Sequence, residues 1–379
     1  MKYFIYSFGC KVNQYESRLI SQEFKKLGFA NAQDIKNADI VVINSCAVTK
    51  SAEKECLYLL RKISKFSQRI KILLTGCFAK IKFQEIAQNF PDIEIITDKT
   101  KLWTKETLSI FEKRSRAFVK IQDGCDSFCS YCIVPYIRNV LWSKPERDVI
   151  LEISELVKNG YAEIVLSGIH IGKYEGGLSK IVRKIIEIPL NFRVRISSVE
   201  LNEIDADIIE LMKKYPDKIC PHLHIPLQSG SDAILALMNR KYSAKNYFDK
   251  TAEILNSIPN FSLTADIISG FPFETLENHI ETCKFVEKTS FSRLHIFSYS
   301  DREGTKAFSF KKKVVPEEIK RRTTQLLEMD KVKRQEFFSA NVGQKRKAVS
   351  IGQTKALTDN YIIVENMKPQ NGIFEVDVV

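Results

Sequence analysis

The 379-residue sequence predicts an α/β protein in three successive parts: a parallel sheet covered by helices, a partial barrel, and a small all-β appendage. Three observations predict it. Short apolar, β-branched runs alternate with helix-length amphipathic segments over residues 1–112. A second series of six such runs, most of them followed by helical patterns, fills residues 113–340, and residues 341–379 hold alternating runs separated by turn residues.

The strands of the first part read as "KYFIYSF" (2–8), "ADIVVIN" (38–44), "KILLTG" (71–76) and "IEIIT" (93–97). Between them, "QYESRLISQEFKKLG" and "SAEKECLYLLRKISKF" have helical patterning, so the sheet is expected to be parallel and Rossmann-like, covered on both faces. A basic connector, "KRSR" (113–116), leads to "AFVKIQ", "AEIVLSG", "FRVRISS", "PHLHIPL", "FSLTADIIS" and "RLHIFSYS". Helices follow most of these, such as "RDVILEISELVKNG" (147–160) and "TLENHIETCKFVEK" (275–288). Six strands in βα succession suit a partial (β/α)6 TIM barrel rather than a closed eight-fold one. Right-handed crossovers then put every strand's C-terminal end on one rim. A long basic helix over 316–341 leads to "RKAVSIG", "NYIIVEN" and "GIFEVDVV", an appendage too short to fold well unless docked.

Hydrophobic content of 44% and charged content of 27% are those of an ordinary globular protein. The N-terminus, "MKYFIYSFGCKVNQYES", meets polar residues too early for a signal peptide, and no apolar run approaches a membrane span. A cytoplasmic protein with no membrane partner is expected. In that reducing compartment the nine cysteines are better explained as metal ligands or reactive thiols than as disulfides. Net charge is +12, and residues 301–350, with 14 Lys/Arg against 7 Asp/Glu, supply +7 of it. Such a charge run is either a solvated helix face or the footprint of a polyanion whose affinity falls steeply with salt.

"GCDSFCSYCIVPYIR" (124–138) places Cys125, Cys129 and Cys132 inside eight positions. Simple frequency counting gives this spacing a chance occurrence of about 0.005, which sets coincidence aside. A structural zinc site wants four ligands, and the nearest His that follows is His170. Iron–sulfur clusters also bind thiolates at such short spacings, and three thiolates on a four-iron cluster would leave one iron open to a substrate. Cys10, Cys46 and Cys77 form a second set, each just past a strand's C-terminal end, at intervals of 36 and 31 residues. In a parallel sheet those ends share one edge, where such folds place ligands; small half-buried cysteines are also common at strand ends. Cys56, Cys220 and Cys283 lie within helix or strand patterns and read as core.

"GCDSFCSYC", just after the first strand of a partial barrel, resembles the radical S-adenosylmethionine superfamily. The resemblance implies that Cys125, Cys129 and Cys132 hold a [4Fe–4S] cluster whose free iron chelates S-adenosylmethionine, with Tyr131 packing beside the adenine. An electron from the cluster would then break the sulfonium C–S bond to give a 5′-deoxyadenosyl radical. The double trio is similar to that of the methylthiotransferases, which implies a second, auxiliary [4Fe–4S] cluster on Cys10, Cys46 and Cys77. It also implies a domain order of 1–112 (N-terminal domain), 113–340 (radical barrel) and 341–379 (a short TRAM-like β domain that in the family helps grip RNA). "FGCKVNQYES", "VKIQDGCDSFCSYCIVPYIR" and "IVLSGIHIG" resemble the branch acting on N6-threonylcarbamoyladenosine beside the tRNA anticodon. For that branch the expected chemistry is methylation of a cluster-bound sulfur by one S-adenosylmethionine, then radical transfer of CH3S to C2 of the base. The partners implied are the tRNA anticodon stem-loop, a reductant such as flavodoxin or ferredoxin, and a sulfur donor.

The same resemblance assigns Gly168, Ser198, Glu200, Gln228, Ser229 and Gly270 to the cofactor, though the usual Gly-Gly-Glu is absent around Gly168. After the motif, "IRNVLWSKP" keeps Arg138 but brings Asn139 and Trp142 where relatives have Arg-Gly and further arginines. Other readings are methylthiolation of isopentenyladenosine or of a ribosomal protein, and an iron–sulfur RNA-binding protein without turnover.

Overall fold

A computed structural model describes residues 1–65, 70–108 and 115–379. Residue 66, at the end of the second helical run, residues 113 and 114 of the expected connector, and the 112/113 boundary lie outside the described residues. The chain forms two compact units, Met1–Glu112 with Ile133–Val140, and Lys113–Cys132 with Leu141–Val379.

In the first unit, β1 (Lys2–Ser7), β2 (Ala30–Asn31), β3 (Ile40–Ser45), β4 (Lys71–Gly76) and β5 (Glu94–Ile96) make a parallel sheet in the order β2-β1-β3-β4-β5. The central strand β3 is buried along its whole length, which explains its unbroken apolar run. Its alternate residues feed two cores. Ile40 and Val42 pack with Tyr15, Leu19 and Ile20 of α1 (Lys11–Lys26). Val41 and Ile43 pack with Cys56, Leu59, Leu60 and Ile63 of α2 (Lys50–Ser64). Cys56 is therefore a core residue. The short α3 (Cys77–Ile81) starts directly at the end of β4.

The second unit contains β6 (Arg116–Lys120), the two-residue pair β7 (Gln122–Asp123) and β8 (Trp142–Ser143), then β9 (Glu163–Ser167), β10 (Arg193–Ile196), β11 (His222–His224), β12 (Ser262–Ser269) and β13 (Arg293–Ser298). Two parallel three-stranded ladders, β6-β9-β10 and β11-β12-β13, are joined by parallel bridges Val194–Ile219 and Ser198–His224. The result is the six-stranded open barrel. Its C-terminal ends carry the loops that begin near residues 121, 168, 197, 225, 270 and 299. At the opposite pole, Glu163 is buried between Arg116 (2.6 Å), Arg193 (2.7 Å) and Arg195 (2.9 Å). Burial alone would raise its carboxyl, but the three guanidinium groups hold it well below the usual range.

That pole also seats the terminal sheet. β14 (Lys345–Ser350), β15 (Lys355–Thr358), β16 (Ile363–Glu365) and β17 (Phe374–Asp377) form an antiparallel sheet in the order β16-β15-β14-β17. Arg193 donates to the carbonyls of Lys347 (2.8 Å) and Leu357 (3.0 Å), and Arg195 to those of Thr358 (3.0 Å) and Asp359 (2.9 Å). Tyr361 stacks on His222 with ring centroids 4.4 Å apart. The appendage is thus docked into the second unit. β15 was not anticipated, because "KALT" offers a single β-branched residue and no alternation.

The basic helix Pro316–Asn341 has proline and two glutamates in its first turn, as the helix dipole favours. Much of its positive charge is balanced locally: Arg321 and Arg322 pair with Glu318, Lys331 with Glu328, Lys333 with Glu336 and Arg334 with Asp330. Arg322 also reaches inward to Glu274 at 2.7 Å. For this helix the solvated-face reading of the charge run explains most of the lysines and arginines. Among the described residues, no helix is long and apolar enough to cross a membrane.

Candidate functional site

Cys10, Cys46 and Cys77 sit at the C-terminal ends of the adjacent strands β1, β3 and β4. Side chains of their own unit hold those ends together. Asn13 Nδ2 donates to Phe8 O (2.9 Å) and Ser45 O (3.1 Å), joining the loops of Cys10 and Cys46. Ser45 Oγ donates to Thr75 O (2.5 Å) and accepts from Ala79 N–H (3.2 Å), joining the end of β3 to the turn that carries Cys77. Gly9 (φ 85°) and Gly76 (φ 95°) are required twice over, by their left-handed backbone and by space. A Cβ on Gly9 would lie 2.6 Å from Cys46 Sγ, and one on Gly76 2.6 Å from Ser45 N. Burial pushes the Cys46 thiol up to about 11, and neighbouring Cys77 and Cys10 add to the rise. Burial also raises Cys10, against the pull of the Arg138 guanidinium.

Arg138 belongs to this unit. It is buried, donating to Glu16 Oε1 (3.1 Å), Glu16 Oε2 (3.1 Å) and Asn13 Oδ1 (3.0 Å). Lys99 also contacts Glu16. Ile133–Val140, expected within the barrel domain, therefore folds with the first unit, and Arg138 braces the helix that follows Cys10. Trp142 lies in the β7–β8 pair with Lys120 Nζ 5.2 Å from its ring centroid.

The second unit brings Cys125, Cys129 and Cys132 together on the loop after β7, at the barrel rim. His170 Nδ1 is 3.5 Å from Cys125 Sγ and 3.4 Å from Ser127 Oγ, and its backbone N–H donates to Gln122 Oε1 at 2.7 Å. Its Nε2 is 2.6 Å from Glu203 Oε1, an ion-pair contact too poorly aligned to be a hydrogen bond. Burial pushes the Cys125 thiol up, but hydrogen bonds from His170 and Ser127 outweigh it and the net shift is downward. Burial pulls His170 down, and its contacts with Cys125 and Glu203 reverse this, to about 10. Arg240 Nη1 lies 3.4 Å from Cys129 Sγ and 3.1 Å from Glu200 Oε1. Burial still keeps the Cys129 thiol raised.

The expected cofactor contacts are distributed unevenly. Gly168 is packed tightly, since a Cβ would sit 2.7 Å from Ile171 Cγ2 and 2.8 Å from Gln122 O. Ser198 is exposed at a rim bridge to His224, and Glu200 is tied to Arg240. Gln228 has φ 69° and its backbone bonds to β12. Ser229 is buried, its hydroxyl 3.2 Å from Thr282 Oγ1 and accepting from Ser231 N–H. Gly270 packs against Ile319 of the long helix and donates to Glu274 Oε1 at 3.1 Å. Tyr131 packs with Ile234, Met238, Phe271 and Ala307, and burial pushes its phenol well above the ordinary value. Sequence reasoning missed Asn13, Glu16, His170, Glu203 and Arg240. His170 lies two residues past Gly168 in a motif already singled out, and Asn13 and Glu16 lie in the quoted "FGCKVNQYES", but nothing in either stretch marked them as supports for the sulfurs.

Among the described residues, no three His, Cys, Asp or Glu side chains converge on one point as ligands of a single ion would. A four-iron cluster asks for something different. Each thiolate takes its own iron, so three cysteines on neighbouring loops fit it, and thiols suit iron–sulfur chemistry.

Residues 2–98 match the family described as uncharacterized protein family UPF0004, and residues 119–286 match the radical SAM superfamily. The threonylcarbamoyladenosine tRNA methylthiotransferase MtaB of Thermotoga maritima is 36% identical, covering 91% of this chain and 86% of the relative. The tRNA-2-methylthio-N(6)-dimethylallyladenosine synthase of Endomicrobium trichonymphae is 32% identical, covering 95% and 92%. The radical S-adenosylmethionine methyltransferase TsrM of Kitasatospora setae has a TM-score of 0.59 at 11% identity, covering 78% of this chain and 74% of that one, a likeness of fold. Methylthiotransferases of this kind work with S-adenosylmethionine and two [4Fe–4S] clusters. By its two family matches and by relatives that align over most of both chains, this protein belongs to the radical SAM methylthiotransferase family.

Proposed function

We propose that this enzyme places a methylthio group on C2 of N6-threonylcarbamoyladenosine at position 37 of tRNA. The observation that carries the reading is the gathering of Cys10, Cys46 and Cys77 at three adjacent strand ends, alongside a separate Cys125–Cys129–Cys132 loop. The first trio would hold the auxiliary cluster and the second the radical cluster. Bound there, the clusters and S-adenosylmethionine supply the one-electron chemistry and the sulfur that an unactivated aromatic C–H demands.

The chain's own residues position and insulate. Asn13, Ser45 and Arg138 fix the first trio's loops, while His170 and Arg240 point hydrogen-bond donors at the sulfurs of the second. Tyr131, Ser198, Glu200 and Gln228 line the rim for the cofactor. Ser229, Gly168 and Gly270 act through the loops they hold, since the hydroxyl of the first and the free space at both glycines are already taken. A flavodoxin- or ferredoxin-type reductant and a sulfur donor complete the reaction.

The threonylcarbamoyl substrate is supported by "FGCKVNQYES" and by relatives of that name at 31–36% identity. Relatives named for dimethylallyladenosine, at 32% and 33%, favour a second reading on that base. Mass spectrometry of tRNA nucleosides from cells with and without the gene separates them. Loss of 2-methylthio-N6-threonylcarbamoyladenosine is the expected result; loss of the dimethylallyl product instead would transfer the enzyme to the other branch.

A further inference from the structure

We propose that the barrel rim carries a platform for single-stranded nucleotides, made of Phe273 with Lys311 and Lys312; the proposal rests on the RNA substrate reading. The starting observation is conformational. Phe273 has φ 69°, a left-handed backbone that bulky side chains seldom adopt, and the residue is 38% exposed. A large apolar residue held in a strained conformation and still more than a third exposed is not explained by burial alone.

The surrounding loop leaves it no freedom. Arg322 donates to Glu274 O (2.9 Å) and Oε1 (2.7 Å), Glu274 Oε1 accepts from Gly270 N–H (3.1 Å), and Phe273 N–H donates to Lys312 O (2.9 Å). The ring is also braced from beneath, with its centroid 5.7 Å from that of Phe310, which in turn lies 6.1 Å from buried Phe271. The platform is thus presented rigidly.

Charge and position add two independent reasons. All three lysines are exposed, but Lys313 is engaged by Asp301 (2.8 Å) and the carbonyls of Ala307 and Phe308, whereas Lys311 and Lys312 make no ion pair among the described residues. Unlike the long helix that follows, this stretch keeps its charge unbalanced. Ala307 N–H donates to Ser130 O (2.7 Å), inside the cysteine loop, which ties this stretch to the barrel rim. An aromatic face beside uncompensated cations suits an unstacked base and its phosphate. A paired duplex offers no such base, so the occupant is a single-stranded RNA loop.

The test uses the full chain with both clusters loaded and two probes, a short RNA hairpin with an unpaired adenine-rich loop and a duplex of its stem alone. Phe273→Gly accepts the backbone angle and removes the ring. It is expected to weaken hairpin binding about tenfold and leave duplex binding unchanged. Phe273→Tyr keeps a stacking face and is expected to restore the hairpin affinity. Lys311→Ala/Lys312→Ala is expected to lower the slope of log affinity against log salt by about 1.5. Equal hairpin binding by the parent, Phe273→Gly and the double lysine variant overturns the platform and leaves the RNA reading standing. A parent that binds neither probe overturns both.

Discussion

On the proposed reading, the two cysteine trios would reach the same chemical end by opposite routes. In the second unit one loop supplies all three sulfurs within eight residues, and the fold only has to present that loop at the rim. In the first unit the sulfurs lie 67 residues apart in sequence, from Cys10 to Cys77, and only the parallel pairing of β1, β3 and β4 makes them neighbours. A local site depends on its own loop and the few side chains that donate to it. A topological site depends on everything that keeps three strand ends level, which is why Asn13, Ser45, Gly9, Gly76 and Arg138 cluster there.

The strongest way to sharpen that contrast is to remove one sulfur from each trio. Cys46→Ala and Cys129→Ala are each expected to lower the iron content of the reconstituted protein from about eight to about four per chain. Cys129→Ala should also abolish formation of 5′-deoxyadenosine, whereas Cys46→Ala should abolish only the methylthio product. Loss of all iron from either variant would show that the trios do not load independently.

Arg138→Met comes next. It takes the guanidinium from buried Glu16 and Asn13, and breaking such a pair costs about 3 kcal/mol, the lower end of the usual range because Lys99 remains. Urea unfolding and the iron retained by a Cys129→Ala background measure it, and an unchanged unfolding midpoint would deny the brace. Gly76→Ala should cost about 2–3 kcal/mol by forcing a methyl against Ser45 and a left-handed angle on alanine. The same background reports whether the first trio still binds iron.

The smallest effect is expected in the local site. His170→Gln removes a positioning residue and should weaken iron binding there about tenfold, the lower end for groups that donate to metal ligands. The electron paramagnetic resonance signature of the reduced cluster should shift with it. Chelator competition that left affinity and spectrum unchanged would assign His170 to packing alone.

This contrast also explains what could be read in advance. The Cys125–Cys132 loop was visible as a string, and the Cys10, Cys46 and Cys77 set followed once the strands were placed, because their bounds were clear from continuous apolar runs. The braces were not legible. Asn13 and Glu16 look like any polar positions of an amphipathic helix, and nothing in "IVPYIRNV" reveals that its arginine turns into the first unit. Ser229 and Gly270 were singled out by family position, and the structure spends the side chain of one and the empty space of the other on loop packing. Phe273 could not be singled out in advance, because the sign of φ cannot be read from "GFPFET".

The latch of Arg193 and Arg195 onto the terminal sheet has a practical consequence. Val379 is 86% exposed, and its sheet is fastened at the pole of the barrel away from the cysteine loop. A reporter or surface tether joined at Val379 would leave from that closed pole, on the side of the barrel opposite the cysteine loop.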